Sequence, residues 1–330
     1  PIILSLFVLL FSCQGKVEKT TEEEVLPDEN KVRLIYDTDA NNELDDQFAL
    51  IYLLLNGETF DLEGVTVNAT KSGGDINGHY EEAKRIMQLG LSYEKIPLFK
   101  GANGSFSDIQ ATVSNGNFDG QEAVDFIIET LRREPAHSVT LCPLGPLTNI
   151  ATAFLRAPDI MARVQQIVLM GGAYFEVGNI TPAAEFNIYV DPEAAEIVFK
   201  SGVPLVVMPL DVTHKALTNR KRVEAFRALG TEPGRMVAEW TDFFERFDMA
   251  KYGSEGAPLH DPCVIAYLLE PSLFTGRHIN VEIETGSELT LGMTVADWWR
   301  VSGRPANAMY MGGVDRDGFY ALLTERLASF

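Results

Sequence analysis

The chain has 330 residues, of which 46% are hydrophobic and 22% are charged. This composition is ordinary for a folded globular protein and excludes disorder over most of the length, and the length suits one large domain or two small ones. The 47 acidic residues outnumber the 27 basic ones, so the formal net charge is -20. That balance repels nucleic acid and anionic membranes and leaves neutral or cationic small molecules open as ligands.

The N-terminal segment differs in character from the remainder of the chain. Residues 1–12 (PIILSLFVLLFS) form an apolar run that is too short to span a bilayer but suits the h-region of a signal peptide. Cys13 follows where a bacterial lipoprotein signal has its lipidated cysteine, and residues 13–31 are polar and aperiodic, as in a flexible tether. These features predict export to the periplasm or cell envelope as a lipoprotein, with membrane contact only through Cys13. If residues 1–12 are instead an ordinary core strand or helix, the protein is cytoplasmic.

Residues 32–330 alternate between strand and helix patterns without a convincing linker, which predicts a single domain. Buried strands are predicted at 32–36, 62–67, 138–142, 165–170 and 204–209. Helices are predicted at 45–57, 78–90, 146–155, 191–202 and about 233–249. This alternation predicts an α/β fold of Rossmann-like type, with a mostly parallel central sheet flanked by helices on both faces. A helical and then β-rich part follows residue 210 and ends in a C-terminal helix.

Polar residues come directly after the predicted strands. Asp37 and Asp39 follow the first strand, Asn68 follows the second, and the segments 144–149 and 171–179 follow the next two. In an open parallel sheet, ligands bind beyond the carboxyl ends of the strands. Several loops therefore supply polar groups to one edge of the sheet, which predicts one active site there.

The first of these segments, YDTDANNELDDQFAL, contains Asp37, Asp39, Asp45 and Asp46 within ten positions. Four carboxylates that converge without a cation repel one another strongly. In the alternative interpretation they point into solvent, with the last two at the start of a helix. However, the first two directly follow a buried strand, and the helix after Asp46 is strongly apolar. Carboxylates at a buried edge need a cation, and ligands that are all oxygen favour Ca²⁺ or Mg²⁺.

A second acidic element lies far along the chain, in LHDPC at residues 259–263. Asp261 precedes Pro262 and an apolar helix, which is an ordinary N-cap arrangement. The alternative is that this carboxylate joins the aspartate cluster. The adjacent His260 is a candidate acid near neutral pH.

Together, these motifs resemble the inosine–uridine-preferring nucleoside hydrolase family. The matching blocks are DTD-x5-DD, VTVN, LGPLTNIA, MGGAY-x4-N-x5-EFN-x3-DPEAA, HDPC and LTLGMTVAD, in the family's order from about residue 32 to 330. The resemblance implies the nucleoside hydrolase fold and Ca²⁺-dependent hydrolysis of the N-glycosidic bond of ribonucleosides to free base and ribose. It also implies a homodimer or homotetramer.

The resemblance further implies a role for each matching residue. It places the Ca²⁺ ion on Asp39, Asp46, Asp261 and the main-chain carbonyl of Leu144. It makes Asp39 the general base that activates a metal-bound water and His260 the candidate acid for the departing base. It assigns the ribose hydroxyls to Asp45, Asn68, Asn179, Glu185 and Asn187, with Phe186 packed nearby. It gives Asp37 a supporting place behind the metal ligands. Taken alone, Asn179, Glu185 and Asn187 are equally consistent with loop capping.

The sequence departs from the family pattern in two places. Five residues, ANNEL at 40–44, separate the DTD and DD motifs, whereas the family usually has three; Asn41, Asn42 and Glu43 are thus candidate additions to the site. The segment at 69–80 also differs, which makes His79 and Tyr80 candidate substrate contacts. Trp240 and Tyr252 are aromatic candidates for the leaving-group end, although an aromatic residue on a helix is more often part of the core. The preferred base is left open.

Two other functions compete with this interpretation. One is an exported lipoprotein that captures nucleosides or related sugars without turnover, but a pure binder does not need the water-activating set of Asp39, Asp46, Asp261 and His260. The other is phosphoryl transfer at a DxD metal site. It ranks last because the sequence has no P-loop pattern and no obvious lysine or arginine clamp for phosphate.

Overall fold

The computed structural model describes residues 31–70, 74–89, 95–252 and 256–329, without the side chains of residues 247–249 and 252. The predicted signal run at 1–12, Cys13 and the tether up to residue 30 lie outside the described residues, so they stay predictions. The first described strand begins at Val32, the predicted start of the domain, and Lys31–Phe330 form one compact unit. No helix among the described residues is long and apolar enough to cross a membrane.

The described residues form the following regular elements. The strands are β1 (Val32–Thr38), β2 (Phe60–Val67), β3 (Leu98–Lys100), β4 (Val139–Pro143), β5 (Val164–Met170), β6 (Leu205–Met208), β7 (Phe274–Ile279), β8 (Val281–Ile283), β9 (Thr294–Ala296) and β10 (Ala308–Val314). The α-helices are α1 (Asp45–Leu55), α2 (Ile76–Met87), α3 (Phe106–Ile109), α4 (Gln121–Arg133), α5 (Thr148–Arg156), α6 (Phe186–Val190), α7 (Pro192–Phe199), α8 (Leu210–Thr213), α9 (Arg220–Ala228), α10 (Glu232–Tyr252), α11 (Pro262–Leu269) and α12 (Arg316–Ala328). Short 3-10 turns occur at Val113–Asn115, Pro158–Arg163 and Pro271–Leu273.

Eight of the described strands form one sheet, in the order β3-β2-β1-β4-β5-β6-β10-β7. Neighbouring strands are parallel except for the β10–β7 pair. Alternate residues of β1 enter different cores: Leu34 and Tyr36 pack in the core that contains α1, whereas Ile35 packs in the core that contains α5. The predicted α/β fold with a mostly parallel central sheet and helices on both faces is therefore confirmed.

The sheet also contains β3, β7 and β10, which the sequence pattern did not predict. β3 has only three residues, and β10 runs into Gly312 and Gly313, so neither shows a long run of β-branched residues. Because β10 lies between β6 and β7, the C-terminal part is an extension of the main sheet.

Helix α1 holds the first half of the aspartate cluster in place. All eleven of its residues are buried, as expected for a helix that is apolar on every side, and it packs against α2, α11 and α12. Burying each of its leucine, isoleucine and phenylalanine side chains contributes about 1.5–3 kcal/mol. The helix is therefore a rigid base for the acidic residues of its first turn.

The edge at which β1 ends is a topological switch point. The chain passes from β1 to β2 on one side, while β4 pairs with β1 on the other side, and such points open a crevice for a ligand. Two backbone hydrogen bonds extend the sheet at this edge: Leu144 N–H donates to the Asp37 carbonyl at 2.8 Å, and Asn68 N–H donates to the Thr38 carbonyl at 2.8 Å. The residues that follow β1, β2 and β4 are thereby held side by side.

The β8–β9 hairpin supports the long loop that follows β5. Met293 forms an isolated bridge with Ala184. Gly172 has φ +94°, and a Cβ atom there would lie 2.8 Å from the Thr294 hydroxyl, so only glycine fits both the conformation and the space. The LTLGMTVAD block thus acts by packing against the loop that carries Asn179 and Glu185.

Candidate active site

Three carboxylates from distant parts of the chain meet at the carboxyl end of β1. Asp45 and Asp46 form the first turn of α1, and Asp261 immediately precedes α11. The three side chains are buried, and each offers a carboxylate oxygen within 4.8 Å of the others. Because α1 packs against α11, the tertiary fold brings together the two acidic motifs that the sequence separates. The interpretation in which these aspartates simply point into solvent is wrong.

Hydrogen bonds fix two of these carboxylates. Asp45 Oδ2 accepts from the backbone N–H groups of His260 at 3.0 Å and Asp261 at 3.2 Å. Asp46 Oδ1 accepts from the Thr38 hydroxyl at 2.5 Å. Asp45 therefore ties the HDPC segment to α1, which is a structural task that the sequence did not reveal.

The carboxylates carry strong electrostatic strain. Burial raises the pKa of Asp46 well above its usual value, and the charges of Asp39 and Asp45 raise it further. Burial likewise raises the pKa of Asp261, with added repulsion from Asp45 and Asp46. Burial also raises the pKa of Asp39, and Glu43 is the largest charge that adds to the effect. A cation at this place would relieve all of these shifts together.

The donor set fits a hard metal ion. Asp39 is only 2% exposed, and its Oδ2 has no hydrogen-bond partner among the described residues. Oxygen ligands from carboxylates and one carbonyl are those that Ca²⁺ and Mg²⁺ prefer. An unpartnered buried carboxylate oxygen beside three other carboxylates is costly without such an ion. The cluster could therefore hold a metal ion.

The Leu144 carbonyl, predicted as a main-chain ligand, lies in the same cleft. Leu144 lines it together with Asp39, Asp46 and Asp261, and its carbonyl accepts a hydrogen bond from Asn187 Nδ2 at 2.6 Å. The carbonyl has a second lone pair that remains available. The next residue is Gly145, at which a Cβ atom would lie 2.8 Å from Asp39 Oδ1. The close approach of the β4 turn to Asp39 therefore requires glycine.

Asp37, to which the family resemblance gives a supporting place, is fully buried and is not among the residues that line the cleft. Its carboxylate accepts hydrogen bonds from Thr66 Oγ1 at 2.5 Å, from Asn149 Nδ2 at 2.8 Å and from Asn68 Nδ2. Burial raises the pKa of Asp37 to about 6, although these three hydrogen bonds oppose the shift. Asp37 thus organises the ends of β1, β2 and the start of α5.

The predicted sugar-binding residues fall into two groups. Those that line the cleft are Asp45, Asn179, Glu185, Phe186 and Asn187. Asn68 is not among the lining residues: it is 1% exposed, Asp37 binds its amide nitrogen, and its Oδ1 has no partner among the described residues.

Asn179 and Glu185 also cap the loop in which they lie. For these two residues, loop capping and a place in the cleft lining are therefore both observed. Glu185 caps α6 by accepting from Asn187 N–H at 3.0 Å and Ile188 N–H at 3.3 Å, and it also accepts from Gly172 N–H at 3.0 Å. Asn179 Oδ1 accepts from Phe186 N–H at 2.8 Å. These bonds hold both side chains in fixed positions at the cleft wall.

His260 lies in the cleft wall, and its ring is held from behind. Its Nδ1 is 2.7 Å from the Thr213 hydroxyl, and the His214 ring centroid lies 5.6 Å from its own. Burial lowers the pKa of His260 well below its usual value, and His214 and Lys251 lower it further. The imidazole is therefore neutral near pH 7 in this state, so any proton that it offers is an N–H of the neutral ring.

The two segments that depart from the family pattern, 40–44 and 69–80, lie differently relative to the cleft. Asn42 and Glu43 line the cleft, whereas Asn41 is exposed and its backbone N–H donates to His79 Nδ1 at 3.3 Å. His79 is fully buried, and neither it nor Tyr80 belongs to the cleft lining. The lengthened turn therefore reaches the site, but the segment around His79 supports it from outside.

Of the two aromatic candidates, the structure describes the side chain of Trp240 alone, and that side chain does not line the cleft. Trp240 lines a separate apolar pocket with Leu44, Phe48 and Phe244, which fits the expectation of a core role. The side chain of Tyr252 lies outside the described residues.

Sequence reasoning missed several residues that build the site. Thr38 and Thr213 hold site side chains, Asn149 bridges Asp37 and the Val67 carbonyl at 3.1 Å, and Met170 lines the cleft. Asp211 accepts from the backbone N–H groups of residues 174–176 at 2.6–3.2 Å and so shapes the loop after β5. Thr38, Asn149 and Met170 lay within the motifs DTD, LGPLTNIA and MGGAY but received no role from the sequence. Thr213 and Asp211 lay outside every quoted motif.

The comparisons with known proteins agree with this geometry. A family profile described as "Inosine-uridine preferring nucleoside hydrolase" matches residues 34–321. The chain belongs to this family. The nucleoside hydrolase described here is therefore an enzyme that acts on N-glycosyl bonds of ribonucleosides.

Two curated relatives are similar over almost their whole length. The nucleoside hydrolase is 43% identical over 314 residues to "Pyrimidine-specific ribonucleoside hydrolase RihA" of Shewanella sp. (strain ANA-3), covering 90% of this chain and 96% of the relative. It is also 43% identical over 313 residues to "Uncharacterized protein C1683.06c" of Schizosaccharomyces pombe, covering 90% and 99%.

Two solved structures share the fold over the same extent. "Purine-Preferring Ribonucleoside Hydrolase from Gardnerella vaginalis" has a TM-score of 0.74 at 30% identity, covering 90% of this chain and 98% of that one. "Plant nucleoside hydrolase - PpNRh1 enzyme" has a TM-score of 0.78 at 26% identity, covering 90% and 99%. The nucleoside hydrolase fold is thus confirmed.

Proposed function

We propose that the protein is a Ca²⁺-dependent ribonucleoside hydrolase that releases free base and ribose. The observation that carries this proposal is the convergence of four buried aspartates on one cleft that no lysine or arginine of the described residues lines. Ca²⁺ is the ion proposed because the ligands are all oxygen and several of them are carboxylates.

The residues that would hold the ion are Asp39, Asp46, Asp261 and the carbonyl of Leu144. When bound, such an ion lowers the pKa of a coordinated water and orients the sugar diol. Asp39 accepts the proton of the attacking water. Asp39 lines the cleft, and its Oδ2 is buried without a hydrogen-bond partner among the described residues, so this oxygen is available to accept the proton.

The sugar is bound by the polar wall of the cleft. Cleavage of an N-glycosidic bond develops positive charge on the ribose, and fixed negative groups stabilise that charge. Asp45 and Glu185 supply carboxylates held by backbone N–H groups, and Asn179 and Asn187 supply amides. Asn68 joins this set only if its amide turns from Asp37 when substrate binds, and that role stays a prediction.

His260 assists departure of the base. Because its pKa is lowered, it donates a hydrogen bond from Nε2 of the neutral imidazole. The Thr213 hydroxyl at Nδ1 sets this tautomer if it donates to the ring.

A panel of uridine, cytidine, inosine, adenosine and guanosine tests the proposal, with base release and reducing sugar as readouts. Both pyrimidine and purine nucleosides belong in the panel because one relative is named pyrimidine-specific and one structural neighbour purine-preferring. We expect release of base that is lost after calcium chelation and restored by Ca²⁺. Thermal stabilisation by nucleosides without base release would instead indicate a binding protein, and phosphate release from nucleotides would indicate phosphoryl transfer.

Export, lipidation and assembly are separate proposals. The apolar run at 1–12 followed by Cys13 supports a lipid anchor in the cell envelope, and we expect Cys13→Ser in a full-length precursor to leave the membrane fraction. Retention of that variant in the membrane would contradict lipidation. A homodimer or homotetramer is proposed from the family resemblance, with light scattering as its test.

A further inference from the structure

The lengthened turn between β1 and α1 lies between two pockets. Asn42 and Glu43 line the cleft that contains the carboxylates. Leu44, the next residue, lines the apolar pocket together with Trp240 and Phe244. The turn is therefore seated on an apolar surface on one side and presents polar side chains to the cleft on the other.

Hydrogen bonds hold the turn at both ends. Asn42 N–H donates to the Asp39 carbonyl at 2.9 Å, and the Leu44 carbonyl accepts from Phe48 N–H at 3.1 Å. The Ala40 carbonyl also accepts from Gln47 Nε2 at 3.3 Å. The backbone at Glu43 is thus fixed relative to α1 and to the carboxylates of its first turn.

Glu43 differs from the other acidic residues of the cleft in its exposure. The other five carboxylates of the lining are at most 6% exposed, whereas Glu43 is only half-buried. These five are Asp39, Asp45, Asp46, Glu185 and Asp261. Glu43 consequently lies on the solvent side of the cleft, where an entering molecule meets it before it reaches the buried ligands.

The charge of Glu43 acts at the centre of the site. It is the largest charge contribution to the raised pKa of Asp39, and it also raises the pKa of Asp261. One bound Ca²⁺ would offset only two of the six negative charges around the cleft. An anionic group on a ligand would therefore meet a repulsive field in the cleft, to which Glu43 contributes from the solvent side.

We propose that Glu43 is a specificity-determining residue that excludes anionic nucleosides, such as nucleoside 5′-monophosphates, and admits uncharged ones. The inference rests on the proposed function, because it assumes a nucleoside in this cleft. Removing one partly screened charge should change the affinity for a phosphorylated ligand by about tenfold. An uncharged nucleoside should feel a much smaller change.

The test compares the inhibition constant of uridine 5′-monophosphate with the KM of uridine; if the panel prefers purines, inosine and its 5′-monophosphate replace them. The variants are Glu43→Gln, which removes the charge but keeps the shape, and Glu43→Asp, which keeps the charge. Asn41→Ala is the matched control, because Asn41 belongs to the same turn but is outside the cleft lining. Each protein is assayed at low and at high ionic strength.

We expect the ratio of the inhibition constant to KM to fall about tenfold in Glu43→Gln and to stay at the wild-type value in Glu43→Asp and Asn41→Ala. In the wild type, added salt should lower the inhibition constant, because it screens repulsion, and this salt effect should shrink in Glu43→Gln. If the wild type is active and Glu43→Gln has the same ratio of inhibition constant to KM as the wild type, the role of Glu43 is overturned but the proposed function is not. A wild type that releases no base from any nucleoside would overturn the proposed function and this inference together.

Discussion

Each end of strand β1 has a cluster of acidic side chains, and the two clusters differ in whether basic side chains neutralise them. At the amino end, Arg33 contacts Glu63 at 2.9 Å, Asp61 at 3.2 Å and Glu134 at 2.5 Å, and Arg133 adds a second cation to the glutamates at 2.7 Å. At the carboxyl end, the buried aspartates have no arginine or lysine in the cleft lining formed by the described residues.

This difference distinguishes an acidic cluster that stabilises the fold, at the amino end, from one that we expect to serve the function, at the carboxyl end. Where acidic groups are buried for structure, the chain supplies its own cations, and breaking such a set is costly because charges remain buried and unpaired. Where they are buried without a cation, the chain bears the electrostatic cost until something else binds. The carboxyl end of β1 could therefore hold an external cation, whereas the amino end already has Arg33 and Arg133 beside its carboxylates.

The largest expected effect comes from the carboxyl end. Asp39→Asn should reduce kcat/KM for base release by about 10³-fold, because the variant loses its proton acceptor. Its melting temperature in chelator should be unchanged or higher, since an unpartnered buried carboxylate is removed. Asp61→Asn, on the other acidic cluster, is the control and should keep full activity. An equal loss of kcat/KM in Asp39→Asn and Asp61→Asn would contradict the proposed difference between the two ends of β1.

Arg33→Met tests the amino end. Only 10% of the Arg33 side chain is exposed. Its removal leaves the mostly buried Glu63 and Glu134 with Arg133 as their remaining cation, which should cost about 3 kcal/mol in the free energy of unfolding. Activity of the folded fraction should not change. The control is Arg133→Met, whose side chain is 56% exposed and whose loss should cost at most about 1 kcal/mol. Urea denaturation measures both, and similar values for the two would count against a buried structural role for Arg33.

The pH dependence of stability tests the strain at the carboxyl end. Since the pKa of Asp37 is raised from 3.8 to about 6 in the folded state, its contribution to stability is fully present below pH 3.8 and is lost as the pH rises through about 6. In chelator, the free energy of unfolding of the wild type relative to Asp37→Asn should fall by about 3 kcal/mol between pH 3 and 7. A difference that is constant with pH, or that rises with pH, would contradict the assignment.

The smallest effect is expected from Thr213, the residue that positions the His260 ring. Thr213→Val should lower kcat for nucleosides by about tenfold or less, because the ring loses the hydroxyl that sets its tautomer. The effect should vanish with p-nitrophenyl riboside, whose leaving group needs no proton. Thr152→Val serves as the control, since this buried threonine bonds the Thr148 carbonyl in α5. An equal loss with both substrates would indicate a structural role only.

The elements that could be predicted from sequence are those with local signals. Apolar runs such as 32–36 predicted the central strands, and the uniformly apolar sequence after Asp46 predicted that α1 is buried. The meeting of Asp46 with Asp261 could be proposed from a family resemblance, but the residues alone left it open, because it depends on the packing of α1 on α11.

Other features depend on tertiary contacts that leave no pattern in the sequence. The orientation of Asn68 is set by Asp37, and the lowered pKa of His260 is set by its burial beside His214 and Lys251. Thr213 acquires its role only because α8 ends beside the HDPC segment. β10 has too few β-branched residues to be recognised, although the sheet places it between two other strands.

Calcium titration of the metal-free enzyme by calorimetry tests the central claim most directly. We expect about one ion bound per chain near neutral pH, with proton release, because the carboxylates have raised pKa values before the ion binds. Asp261→Asn should lose this binding, and Asp61→Asn should keep it. Absence of binding to the wild type, or equal binding by Asp261→Asn, would contradict the account that the carboxyl end of β1 is left uncompensated in order to hold a cation.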